Sequence, residues 1–168
     1  DVPYVVDPVM VATSGDKLID DVARKHLKEE ILPLATIITP NVPEAEEIVN
    51  FKILTEDDVN RAGKFIIDEV GCKSVVIKGG HLTGEAKDYL FLNDGTKKVW
   101  TSERFKTNHT HGTGCTFSAV ITAELAKGKS IVEAVDIGKK FITAAIKYTP
   151  ELGHGNGPVN HIAFKGDL

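Results

Sequence analysis

The sequence predicts an α/β domain built on a twisted, mainly parallel sheet flanked by helices. Three observations carry that prediction. Short, nearly continuous apolar runs occur at Tyr4–Val9, Thr36–Thr39 and Ser74–Lys78, as expected of strands covered on both faces. Apolar residues at a spacing near 3.6 separate them. The resulting order of strand, helix, strand, helix favours parallel pairing through right-handed crossovers.

Taken in order, Tyr4-Val5-Val6-Asp7-Pro8-Val9 reads as a buried strand running into a loop, with almost nothing before it. Ile19–Ile31 follows as a helix, with Ile19, Val22, Ala23, Leu27 and Ile31 on one face. Thr36–Thr39 is a strand that feeds Pro40-Asn41, and Asp57–Val70 is a helix carrying Val59, Ala62, Phe65, Ile66 and Val70. Ser74–Lys78 is a strand that feeds Gly79-Gly80. Tyr89–Leu92, the turn Asn93-Asp94-Gly95-Thr96 and Val99–Thr101 form an antiparallel hairpin at one edge, because Asn, Asp and Gly supply positive φ. Two long helices, about Gly114–Lys127 and Ile131–Tyr148, flank Gly128-Lys129-Ser130, where Gly stops one and Ser caps the next. The tail from Glu151 onward is rich in Gly, Asn and Pro and is expected to be loose.

The 168 residues suffice for a single domain spanning 1–168 with its own core. With 42% hydrophobic and 26% charged residues the chain belongs with globular proteins rather than disordered ones. Twenty basic against 24 acidic residues leave a net charge of −4, so no diffuse basic surface exists for nucleic acid or an anionic membrane. No apolar run approaches the roughly 20 residues that span a bilayer. Cys72 and Cys115 have neither a disulfide framework nor zinc spacing, and the expected location is the cytoplasm, with both thiols reduced.

The most informative stretch is Thr110-His111-Gly112-Thr113-Gly114-Cys115-Thr116, where two glycines open a long helix. The first amides of a helix lack intrahelical partners and are backed by its dipole, so an anion is favoured there. The alternative is a glycine turn with no ligand. Cys115 falls in the first turn, where a thiolate is favoured; the alternative is a small residue packing the helix start. Asn41 and Glu44 lie three apart after a strand and share one face of a first helical turn, where Glu at a helix N-terminus is good capping. Lys78 ends a strand at the sheet edge where open α/β sheets bind ligands, or is a surface lysine. Asp7 is a second carboxylate at a strand end, or a turn-shaping residue before Pro8. Glu46 and Glu47 are expected to be solvated, Cys72 to be structural, and His26, His109, His154 and His161 to be solvated or structural. His111 is placed to orient the glycine loop, and His81 follows Gly80.

Together, Thr107-Asn108-His109-Thr110-His111-Gly112-Thr113-Gly114-Cys115, Asp7-Pro8-Val9-Met10, Thr39-Pro40-Asn41-Val42-Pro43-Glu44-Ala45 and Lys78-Gly79-Gly80-His81 resemble the hydroxymethylpyrimidine/phosphomethylpyrimidine kinases of thiamine biosynthesis, within the ribokinase-like superfamily. The resemblance runs over essentially the whole chain. The Cys at 115, where most ribokinase-like sugar kinases carry Asp, points to the pyrimidine and pyridoxal kinase branch.

The resemblance implies a ribokinase-like fold whose N-terminal part is absent here, about one hundred residues that hold the first strands and much of the pyrimidine pocket. The chain would then be the C-terminal, nucleotide-binding and phosphoryl-transfer part, and such a part need not be active alone. It further implies ATP as co-substrate and Mg²⁺ as cofactor, with Gly112, Thr113, Gly114 and Cys115 as the anion hole and Cys115 as the base. Lys78, Gly79, Gly80 and Asn41 would bind ATP and its phosphates, Glu44 and Asp7 would serve the metal, and Val11–Asp16 would cover the phosphates as a flap. The implied substrate is 4-amino-5-hydroxymethyl-2-methylpyrimidine and its monophosphate, in an expected homodimer. A pyridoxal kinase and a non-catalytic ligand-binding module are the alternatives.

Overall fold

The computed structural model describes residues 2–10, 18–79 and 86–164. They fall into two compact units, Tyr4–Thr101 and a second made of Asp1–Pro3 with Ser102–Leu168.

The first unit holds one sheet in the order β1-β2-β3-β4-β5. Its strands are β1 (Val5–Val6), β2 (Ile37–Ile38), β3 (Ser74–Lys78), β4 (Ala86–Leu92) and β5 (Lys97–Ser102). β1, β2 and β3 are parallel, with Val5 opposite Ile37 and Ile38 opposite Val75. β4 runs antiparallel to β3, from Ser74 opposite Leu92 to Lys78 opposite Asp88. The hairpin lies where the sequence places it: Gly95 has φ +87, and Leu92 donates to the Thr96 carbonyl at 2.9 Å across the turn.

Between β1 and β2 runs α1 (Asp21–His26), capped by Asp20 and continued by a wider, π-type turn over Leu27–Ile31. Between β2 and β3 lie α2 (Val42–Val49) and α3 (Glu56–Phe65), the latter also widened over Ile66–Val70 before Gly71. Each opens with a reciprocal capping box, Asn41 with Glu44 and Thr55 with Asp58. The sequence predicts α3 from its apolar period and α2 from the helical turn that Asn41 and Glu44 open. Val75, Ile77, Ile38, Ala45, Ile48, Val59 and Ala62 pack into the core on one face of the sheet. Ile37, Val76 and Leu90 alternate with them along the strands and are equally buried, so the central strands are covered on both sides.

The second unit is built on α4 (Thr113–Ala126) and α5 (Ile131–Lys147), an antiparallel helix pair joined through Gly128, φ +85, and the Ser130/Glu133 capping box. Phe117 and Ile121 on α4 pack against Gly138 on α5, where a Cβ would lie 3.0 Å from the Phe117 ring. The absence of a side chain there sets how closely the helices approach.

The tail is not uniformly loose. Pro158 forms a parallel bridge with His111, Asn160 donates to the Ala145 carbonyl at 2.9 Å, and Val159 is buried. Its polar composition reads as loop, but those polar groups meet the orphan carbonyls at the end of α5. No described helix is long and apolar enough to cross a membrane.

Candidate active site

Three parallel strands end at the same edge of the first unit, and each delivers a charged or capping residue there. Asp7 follows β1, Asn41 follows β2 and Lys78 closes β3. Lys78 donates from its backbone to the Pro40 carbonyl at 2.8 Å and bridges to Asn41, which extends the β2–β3 ladder to the edge. The carboxyl ends of parallel strands are where open α/β sheets bind ligands.

Asp7 Oδ1 accepts from Lys78 Nζ at 3.3 Å and from Thr39 Oγ1 at 3.1 Å. Thr39 is fully buried and holds the carboxylate in place; it lies inside a sequence motif, yet a buried Thr in an apolar strand gives no signal of that role. Asn41 caps α2 by accepting from the Glu44 amide at 2.9 Å, while Glu44 Oε2 accepts from the Asn41 amide at 2.8 Å. Glu44 is only 4% exposed. Burial raises its pKa, Asp7 raises it further, and the Asn41 hydrogen bond and the Lys78 charge pull it back. Asp7, Glu44 and Lys78 thus form one electrostatic cluster. Two neighbouring carboxylates, one of them buried and short of compensating charge, fit an ion such as Mg²⁺, which binds through one or two carboxylates and keeps part of its water.

Gly79 follows in the same edge. Its amide donates to the Lys87 carbonyl at 2.8 Å and to Asp88 Oδ1 at 3.1 Å, and a Cβ on it would lie 2.2 Å from that carbonyl. Only glycine lets the chain pass so close to β4. Buried Asp88 was not visible as a site residue in the sequence, since nothing but the fold brings it to Gly79. Gly80, His81 and the Val11–Asp16 flap lie outside the described residues.

The second unit carries the glycine loop. Gly112 caps α4 with φ +84 and ψ 3, a backbone shape that favours glycine. The first intrahelical bond runs from the Thr116 amide to the Gly112 carbonyl at 2.9 Å, so the amides of Gly114 and Cys115 precede the helical ladder. The Thr113 amide turns to the Thr110 carbonyl at 3.2 Å, joined there by Thr113 Oγ1 at 2.7 Å. Cys115 lies in the first turn and is exposed, not packed. Cys72, in contrast, is buried, and desolvation pushes its thiol up to about 12. A polar cleft of about 360 Å³ opens next to the loop, lined by residues that include Lys106, Asn108, His109, Glu151 and His154.

Some expectations need correction. Glu46 and Glu47 are not simply solvated: Glu46 holds Lys52 Nζ and the Ile53 amide, each at 2.8 Å, and Glu47 pairs with Arg24. Spacing along α2 cannot reveal these, because their partners come from other segments. His161 reaches Thr116 Oγ1 at 3.0 Å and His26 meets Glu30 at 2.7 Å, in line with the structural or solvated role expected of both. Among the described residues no group of three or more His, Cys, Asp or Glu is arranged around one point.

Solved structures that superimpose on this chain define its fold as ribokinase-like. A Bacillus subtilis pyridoxal kinase in an ADP complex superimposes with a TM-score of 0.83 at 42% identity, over 95% of this chain and 58% of that one. A phosphomethylpyrimidine kinase from Clostridium difficile 630 gives 0.75 at 46%, over 86% and 58%. The sequence model of the family described as phosphomethylpyrimidine kinase matches residues 1–160, and the chain belongs to that family. A hydroxymethylpyrimidine/phosphomethylpyrimidine kinase of Staphylococcus aureus is 58% identical over 165 residues. That match covers 97% of this chain, which spans about 59% of the length of that relative.

Proposed function

We propose that these residues are the nucleotide-binding and phosphoryl-transfer part of an ATP-dependent kinase acting on 4-amino-5-hydroxymethyl-2-methylpyrimidine and its monophosphate. The observation that carries the reading is the exposed Cys115 in the first turn of a glycine-opened helix, in a chain of the phosphomethylpyrimidine kinase family.

Phosphoryl transfer depends on positioning and on charge neutralisation. In this reading Gly112, Gly114 and Cys115 present backbone amides and the positive end of α4 to the γ-phosphoryl group, while Thr113, whose amide donates to the Thr110 carbonyl, completes the anion hole by shaping its turn. Asn41 orders the start of α2, and Lys78, with Gly79 and Gly80, places positive charge and close backbone at the phosphates. Asp7 and Glu44 would hold Mg²⁺, in part through water, and the ion would offset phosphate charge. The Cys115 thiolate takes the proton of the substrate hydroxymethyl group as its oxygen bonds to the γ-phosphorus. The bond from that phosphorus to the bridging oxygen breaks, and ADP leaves with the electron pair. A cytoplasmic location and a homodimer belong to the same reading, supported by two unpaired cysteines and by the family resemblance.

A second reading, phosphorylation of pyridoxal, has its own support in the pyridoxal kinases among the structural neighbours, including one from Staphylococcus aureus with a TM-score of 0.87 at 36% identity. The test is turnover by an active protein containing these 168 residues, followed by ³¹P NMR with each alcohol in turn. Faster conversion of the pyrimidine is expected. Faster conversion of pyridoxal would favour the second reading, and ATP binding without transfer to either alcohol would identify a non-catalytic module.

A further inference from the structure

We propose that Gly157–His161 is a strap that holds the glycine loop in its anion-accepting shape, with His161 a positioning residue that acts through Thr116. The kinase reading enters only in what the loop would bind.

The loop needs support because its shape rests on Gly112 at φ +84, one of several conformations open to glycine. The strap grips it on both sides of that residue. Before Gly112, both backbone groups of His111 are taken: its amide donates to the Gly157 carbonyl at 3.0 Å, and its carbonyl accepts from the Val159 amide at 3.2 Å. After Gly112, Thr116 Oγ1 meets His161 Nε2 at 3.0 Å, across 45 positions of sequence. A threonine hydroxyl both donates and accepts, so this bond forms with either ring tautomer.

The strap is itself fastened. Asn160 donates from its backbone to the Ala145 carbonyl at 2.9 Å and from Nδ2 to the Tyr148 carbonyl at 2.8 Å, and Thr149 Oγ1 donates to the Pro158 carbonyl at 3.2 Å. Val159 is 2% exposed. Gly157 lies so close to the loop that a Cβ there would meet His109 Nδ1 at 2.0 Å. The end of α5, the strap and the start of α4 are therefore linked by hydrogen bonds whose geometry fixes the amides that follow Gly112. Donors fixed before an anion arrives need no reorganisation when it binds.

The test compares the 168-residue chain with His161→Ala, His161→Gln, Thr116→Val and the Ala/Val double variant, by amide hydrogen exchange and by calorimetric titration with ATP. Loss of one hydrogen bond of ordinary strength predicts about fivefold faster exchange at residues 113–116 in His161→Ala and in Thr116→Val. The double variant should exchange no faster than either single one, and Gln should return the rate to within about twofold. Exchange at residues 121–125, the far part of the same helix, should not change. ATP affinity should fall by a similar factor wherever exchange rises. Unchanged exchange at 113–116, equal acceleration along all of α4, or failure of Gln to restore the rate would overturn the strap. If His161→Ala does not fold, Thr116→Val and His161→Gln decide alone. The expected exchange pattern in a wild-type chain that binds no ATP would uphold the strap by itself, whereas loss of turnover on both alcohols in an active protein containing these residues is what overturns the kinase reading.

Discussion

Cys115 and Cys72 show how position decides what one side chain can do. Cys115 is exposed at the opening of a helix, whereas Cys72 is buried with its Sγ against the Ser74 carbonyl at 3.4 Å. In the native chain iodoacetamide should label Cys115 at least about 100-fold faster than Cys72, since thiolate and access are both needed. Mass spectrometry of partially labelled protein reads the ratio directly, and comparable rates would contradict the structure. In an active protein containing this sequence, Cys115→Ser should leave ATP affinity nearly unchanged and lower kcat by about 10²–10⁴, the usual span for a general base. Wild-type turnover in the serine variant would remove Cys115 from the mechanism.

Glu44 gives a prediction with a definite sign in pH. Burial raises the folded-state affinity of its carboxyl for a proton above that of the unfolded chain. Its contribution to stability is therefore complete below the unfolded value of about 4.3 and is lost as pH rises through the folded value. Glutamine keeps an oxygen for the Asn41 amide without the charge. Glu44→Gln should thus melt above the wild type at pH 7, with the difference closing toward pH 4, yet bind Mg²⁺-ATP about 10–100-fold more weakly. A variant that melts lower at pH 7 would show that the charged carboxylate stabilises the fold.

At the scale of elements, the crossing from β3 to β4 depends on Gly79. A methyl group there would meet a backbone carbonyl, not a flexible side chain, so β4 or the edge loop must move. Gly79→Ala should cost about 1–3 kcal/mol in urea unfolding. A cost near zero would mean that the strand end adjusts freely. At the start of α2, Asn41→Ala should cost about 1 kcal/mol through loss of the cap. The helices were readable because capping and period are local: Ser130 with Glu133 opens α5, and the hairpin turn announces β4 and β5. The widened turns at Leu27–Ile31 and Ile66–Val70 were not, because apolar spacing barely distinguishes a π-type turn from an α-helix.

For the whole molecule, the sheet order leaves β1 as an edge paired only with β2 among the described strands. Tyr4 and Val9, which flank it, are each 44% exposed. An open edge with apolar residues favours pairing between molecules. Light scattering of this chain should therefore show mass rising with concentration, and Tyr4→Lys should reduce the rise. A constant monomer mass up to about 100 µM, with the edge intact, would contradict that expectation.

The sequence by itself determined the α/β class, the parallel strands with their antiparallel hairpin, the strand-end positions of Asp7 and Lys78, the Asn41–Glu44 cap and the glycines that open α4. Those features are written in local period, capping and turn chemistry, which neighbouring residues decide among themselves. Tertiary structure alone decided that Thr39 and Lys78 hold Asp7, that Asp88 meets Gly79, that Glu46 fastens the segment after α2, and that the tail reaches back to His111 and Thr116. Each of these joins residues from different elements. Such pairings follow from the satisfaction of buried polar groups once the elements have packed, and no period along the chain encodes them.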